Sequence, residues 1–173
     1  WDDEDCWKVA VKKRLIKQLR KPPRTPGTDC ERLRIFALLK HKRVAKSLQT
    51  WQHAALLLAA REFGDELCSE ASGLVRKTGV WDAQADSPAF RNKPENAMLV
   101  FAAMAFPVAD TDKKDAVVHQ LAQAMTDLAG EDETLPYNPA LPHIRFVDTV
   151  GMICPFLFRY AYEYGKESAA ALA

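Results

Sequence analysis

Asp148 stands at the mouth of a strongly apolar, helix-like stretch, Thr149 to Leu157, which carries an internal proline at Pro155. Just upstream lies a loop rich in ring and hydrogen-bonding groups: Tyr137, Asn138, His143 and Arg145. An acid at the start of a buried helix, facing a polar loop, is how a helical scaffold presents a proton donor to a cleft. Donation near neutral pH requires the protonated carboxyl to be favoured, and desolvation beside Phe146, Met152 and Phe156 acts in that direction. The helix N-terminus acts against it, because its dipole favours the anion. The plain alternative for Asp148 is a first-turn acid that serves only its own helix.

Other side chains could complete such a site. His143 and Arg145 could hold an anionic carboxylate, the arginine through a bidentate fork; a solvated loop pair is the bland reading. Trp51 and Trp81 offer flat rings for the C–H face of a sugar, with core packing the alternative for Trp51. His53 reads as a buried, satisfied histidine, His119 as an exposed and idle one on an outer helix. Arg159, unusual in so apolar a helix, is expected to pair with a carboxylate of a neighbouring hairpin.

Positioning these groups falls to helices. Alternating β-branched runs are missing, and Ala, Leu, Glu, Lys and Met carry most positions, so the fold class is all-α. A first helix is predicted from Asp5 to Lys21, stopped by Pro22-Pro23, and a second from an Asp29 cap to Leu48. Three similar units follow. Trp51 to Phe63, Asn96 to Ala109 and Thr149 to Tyr164 are apolar nearly all round. Each breaks at a turn (Gly64-Asp65, Asp110-Thr111-Asp112, Gly165) and leads into a more amphipathic partner: Glu66 to Lys77, Lys113 to Ala129, and Lys166 to Ala173. A helix apolar on all sides must be buried on all sides, whereas its partner can face solvent. Repeated α/α hairpins of this kind close into an (α/α)6 toroid or stack as an open solenoid.

The links Val80 to Glu95 and Glu131 to Arg145 are long for a compact domain and each leads into an inner helix, so both are expected on one rim. At about fifty residues per hairpin, a closed ring of six needs roughly three hundred. The 173 residues, read as a single α/α-hairpin domain, hold about three hairpins. A fragment, an open half-ring pairing with a second copy as a homodimer, and a short solenoid all remain open.

Composition narrows the function. Lys and Arg number 24 against 23 Asp and Glu, which argues against nucleic acid as a partner. The basic run Lys12 to Lys21 has one apolar stripe (Leu15, Ile16, Leu19) and reads as a solvated outer helix. No apolar run is long enough to span a membrane. Cys6, Cys30, Cys68 and Cys154 form no CxxC pair and read as reduced thiols, so neither zinc nor another cofactor is expected. The chain starts at Trp1 rather than Met, as a processed or truncated chain would. Without a visible leader or disulfide spacing, a cytoplasmic location is favoured, with the periplasm as the alternative.

The segment Phe146-Val147-Asp148-Thr149-Val150-Gly151-Met152, followed by Pro155-Phe156-Leu157, resembles the aspartate motif of unsaturated glucuronyl and rhamnogalacturonyl hydrolases, the six-hairpin glycosidases of families 88 and 105. The likeness covers roughly residues 50 to 173. It implies removal of a 4,5-unsaturated uronic acid from an oligosaccharide substrate by hydration of its double bond, with Asp148 as the acid. The chemistry differs from two-carboxylate displacement at the anomeric carbon. A second Asp of that family sits on an earlier inner-helix entrance. The matching region here, Arg91-Asn92-Lys93-Pro94-Glu95-Asn96, has no Asp, so Glu95 is the candidate substitute, with a helix-start acid beside Pro94 as its plain reading, and Asn96 a substrate contact. The competing expectation, from the missing Asp and the short chain, is a non-catalytic helical repeat module that binds a protein or glycan.

Overall fold

A computed structural model describes residues 35–39, 48–63, 65–129, 135, 143–144 and 147–173. All regular structure among these residues is helical. The two expected N-terminal helices lie largely outside them, as does most of the 130–146 link; within the second, residues 35–39 are helical and Leu39 is buried.

Helix α1 (Thr50–Arg61) starts where Gln49 turns extended, and the Gln49 backbone N–H donates to Gln52 Oε1 at 2.8 Å. That bond satisfies a donor at the helix start. Helix α2 (Asp65–Thr78) buries Leu67, Ala71, Leu74 and Val75, the i, i+4, i+7, i+8 stripe of an amphipathic helix. Gly79 ends it at φ 65°, a left-handed value that glycine reaches without steric cost, and a 3-10 turn follows at Val80–Asp82.

Short helix α3 (Pro88–Arg91) precedes α4 (Pro94–Ala103). Pro94 occupies the first helical position, where its missing N–H costs nothing. The helix ends several residues earlier than Ala109, because Pro107 disfavours helical geometry at Phe106. Helix α5 (Thr111–Leu128) is capped by Asp110, whose carboxylate accepts the Lys113 N–H at 3.0 Å. Helix α6 (Val147–Tyr164) ends at Gly165, φ 64°, and α7 (Glu167–Leu172) folds back on it, with the Cys154 thiol donating to the Ala173 carbonyl.

Paired side chains define the directions. Tyr160 meets His119 and Tyr164 meets Asp115, so α5 and α6 run antiparallel. Residues 104–110 lead from α4 into α5, and Arg91, just ahead of α4, lines a cavity with Gln123 and Asp127 at the C-terminal end of α5, so these two helices run in opposite directions. It follows that α4 and α6 are parallel, and they pack side by side. The Arg159 guanidinium, donating to the Met104 carbonyl at 2.9 Å, ties their C-terminal ends together. Pro94 and Val147 therefore start their helices at one end of the molecule, here called the proximal end.

The Val80–Glu95 link departs from expectation. Asp82 is ion-paired with Lys113 at 2.7 Å, so the link begins beside the N-terminus of α5, at the distal end. Nine residues later, Arg91 lines a cavity with Gln123 and Asp127 near the C-terminus of α5. The link thus crosses the length of the molecule instead of staying on one rim. The first hairpin is consequently not related to the second by simple repetition.

Burial also divides the inner helices. Helix α4 matches its reading, burying Asn96, Ala97, Leu99, Val100, Ala102 and Ala103 around most of its circumference. Helix α6 does not. It buries Ile153, Phe156, Leu157 and Tyr160 but exposes Val147, Val150, Phe158 and Tyr162. A uniformly apolar sequence has no intrinsic inside face, and neighbours cover only one side of this helix.

Candidate functional site

Asp148 lies in the first turn of α6 at the proximal end, exposed to solvent. Its carboxylate has no hydrogen-bonding or ionic partner among the described residues. The expected apolar shelter does not enclose it: the Asp148 side chain is open to solvent, half-buried Met152 and buried Phe156 lie further along the helix, and Phe146 lies outside the described residues. Thr149, the next residue, is 5% exposed, and its hydroxyl has no partner in the described structure.

The remaining candidates divide between the two ends. Glu95 is half-buried in the first turn of α4, at the same end as Asp148 because the two helices are parallel. Asn96 is buried at 7% exposure, and its amide donates to the Phe90 carbonyl at 2.8 Å. That bond fastens the end of α3 to the start of α4, which is a structural duty and not the expected substrate contact. His143 is exposed in a turn upstream of α6; Arg145 lies outside the described residues.

Trp81 belongs to the opposite end. It is buried in the 3-10 turn and lines a cavity of about 320 Å³ with Arg76, Pro107 and Lys113. Its indole N–H is buried without a partner among the described residues. Trp51 begins α1, 45% exposed, its indole N–H donating to Gln49 Oε1 at 2.8 Å. Since α1 and α2 form a hairpin and α2 ends distally, Trp51 lies toward the distal end too. Neither indole shares the rim of Asp148, so the expected pair of sugar-stacking rings is not assembled there.

The structure assembles a cluster that sequence reasoning passed over. His119 Nδ1 lies 2.9 Å from the Tyr160 hydroxyl, and the His119 ring sits edge-on to Tyr164 at 4.6 Å between centroids. The Tyr164 hydroxyl donates to Asp115 at 2.5 Å. Burial raises the Tyr160 phenol above its ordinary range; burial and then the Asp115 bond raise Tyr164 further. His119 is therefore engaged, not idle. The signal was available: Asp115 and His119 are four apart, as are Tyr160 and Tyr164, so each pair shares a helix face.

Arg159 pairs differently from expectation. Its Nε donates to Glu163 of its own helix at 2.7 Å, while its Nη2 reaches the Met104 carbonyl and its guanidinium lies 5.9 Å from the Phe101 ring centre. It thus satisfies a carbonyl left orphaned at the end of α4, where a cation also complements the helix dipole. Cys68 and Cys154 are free thiols, half-buried, with Cys154 raised by burial; Cys6 and Cys30 lie outside the described residues. Among the described residues no cluster of His, Cys, Asp and Glu is arranged to hold a metal ion, and no helix is long and apolar enough to cross a membrane.

No protein-family profile matches the chain, and neither a curated protein nor a solved structure resembles it significantly.

Proposed function

We propose that the chain carries the acid-bearing rim of a glycoside hydrolase that acts on unsaturated uronyl oligosaccharides. The observation that supports this most is the position of Asp148: an exposed carboxyl in the first turn of α6, without a hydrogen-bonding or ionic partner among the described residues, at the end where the parallel helix α4 presents Glu95. Asp148 gives its proton to C4 of the 4,5-unsaturated uronate. A water adds its oxygen to C5 and returns a proton to the Asp148 carboxylate. The hemiketal so formed opens at its C5–ring oxygen bond to a C5 ketone, which leaves C1 as a hemiacetal; that hemiacetal collapses to an aldehyde and releases the attached sugar as an alcohol, with one water consumed overall. Glu95 takes the place of the second acid, orienting the water. His143, and Arg145 two residues on, meet the uronate carboxylate. The scaffold this chemistry implies is an α/α toroid, and the part of the chain that fits it is α4, α5 and α6: two parallel inner helices with an outer helix between them in sequence.

The test is direct. Incubation with a lyase-generated unsaturated disaccharide removes the ultraviolet absorbance of the conjugated uronate, and Asp148→Asn abolishes that loss while leaving the helical circular dichroism unchanged. Turnover that survives in Asp148→Asn rejects the acid assignment.

A second reading, a non-catalytic helical module, draws on the outer face of α6. Val147, Val150, Gly151, Phe158 and Tyr162 form an uncharged stripe along that helix, with Val147 and Tyr162 each 90% exposed. Being uncharged, the stripe has no like charges to repel its own copy across a two-fold axis, so the protein partner proposed for it is a second copy of this chain. Wild-type protein that turns over no unsaturated uronide, yet sediments as a dimer that Phe158→Glu dissociates, establishes this reading instead. A monomer excludes the second copy as its partner, and the module's partner is then another protein or a glycan.

A further inference from the structure

The distal cavity, about 320 Å³ in volume, lies at the opposite end of the molecule from Asp148. Three segments wall it. The end of α2 brings Ser72, Val75 and Arg76, three and four residues apart and so on one helix face. The 3-10 turn brings Val80 and Trp81, and the segment ahead of α5 brings Pro107, Val108 and Ala109. Six of these eight side chains are apolar, and Ser72 adds only a hydroxyl.

Each wall is held without help from a ligand. The Thr78 hydroxyl donates to the Val75 carbonyl at 2.7 Å, and the Asp82 N–H donates to the Gly79 carbonyl at 3.0 Å. Lys113 ties the 3-10 turn to α5 through Asp82 at 2.7 Å. Pro107 restricts the backbone of the third wall. The hollow is therefore preformed, as small-molecule sites ordinarily are.

Charge is confined to the mouth, and there it is matched. Lys113 and Asp82, each more than half exposed, neutralise one another. Asp110 caps α5, accepting the Lys113 N–H at 3.0 Å, where the helix dipole favours an anion. Arg76 occupies the last turn of α2, where the dipole favours a cation. Two cations and two anions sum to zero, so no surplus charge at the mouth selects an ion. The buried Trp81 N–H takes no part; the ring is what that residue offers.

We infer that this cavity binds a small, neutral, flat aromatic molecule of about two fused rings, lying against Trp81. The apolar walls select an apolar body, and the balanced mouth selects neutrality. Volume sets the size: an apolar cavity of roughly 150 Å³ is enough for benzene. Trp81 favours a ring over an aliphatic chain, because aromatic pairs gain beyond the area they bury. The inference is independent of the hydrolase reading, since none of these side chains belongs to the Asp148 rim.

Titration calorimetry on the full chain tests it, with indole as probe. Tryptamine and indole-3-acetate serve as its cationic and anionic counterparts, and 1-hexanol as a neutral apolar molecule without a ring. Indole gives saturable heat, and 1-hexanol binds about threefold or more weakly for want of a ring contact. Tryptamine and indole-3-acetate bind no more tightly than indole. Ala109→Trp, an exposed replacement that fills the hollow, weakens indole binding about tenfold or more. Trp81→Leu, which keeps the position apolar, does the same. No saturable heat with indole overturns the inference. So does equal binding of 1-hexanol, tighter binding of either charged analogue, or indole binding indifferent to both replacements.

Discussion

Two phenylalanines of α6, two positions apart, provide the sharpest check on how that helix is oriented and hence on where Asp148 points. Phe156 is fully buried and stacks on Tyr160 with ring centres 6.3 Å apart. Phe158 is 55% exposed. Phe156→Ala removes a ring from a closed core and leaves a cavity, a change that costs about 3–5 kcal/mol. Phe158→Ala forfeits only the covered fraction of a side chain whose complete burial is worth about 1.5–3 kcal/mol, so its cost is about 1 kcal/mol. For a chain of this size the first corresponds to a fall in Tm of about 6–20 °C and the second to about 2–4 °C. Urea denaturation followed by circular dichroism measures both, and an unchanged slope confirms that stability alone has moved. Equal costs for the two, or a larger cost at Phe158, would mean that the two faces of α6 are exchanged. Asp148 would then not stand where described.

Other expectations follow from single contacts. Tyr160 and Tyr164 both have raised ionisation in the folded chain, so they keep their protons after unfolded tyrosine begins to ionise near pH 10. Their stabilising effect is complete below about pH 10 and is lost as the pH climbs through the folded values, so urea midpoints should drop there. Replacing both with Phe should flatten that drop, and an unaltered pH profile would contradict the cluster. Arg159→Met strips the Met104 carbonyl and Glu163 of their donor and should cost about 1–3 kcal/mol; a loss below about 0.5 kcal/mol would show the bridge to be idle. Gly151 sits inside α6 with open space where a Cβ would stand, so Gly151→Ala should stabilise by about 0.5–1 kcal/mol. Gly165 has φ 64°, and Gly165→Ala should destabilise by about 1–2 kcal/mol, the pair being read from thermal melts.

Much of the helical organisation was legible because its signals are local. Pro94 opens α4, Asp110 caps α5, and Gly79 and Gly165 close α2 and α6. Each depends only on backbone sterics or on a side chain reaching a neighbouring N–H. Reading α4 as buried nearly all round also succeeded, since neighbours do surround it. The same composition misled at α6, because apolar residues specify a wish for burial and say nothing of which neighbours exist to provide it.

The candidate site was legible in part for the same reason. Asp148 and Glu95 could be placed in first helical turns from sequence alone, and both are there. That they share one end depends on α4 and α6 being parallel, which long-range pairs such as Tyr164 with Asp115 establish. Trp81 shows the opposite case: local sequence implies a rim position for its link, and the Asp82–Lys113 pair anchors it at the far end.

Sequence by itself determined the helical class and where most of the described helices begin and end, because caps, prolines and periodicity act over a few residues. Tertiary structure alone decided the path of the 79–93 link, the covered face of α6, and the meeting of His119 with two tyrosines. Those depend on contacts between segments dozens of residues apart, whose closure no local pattern encodes.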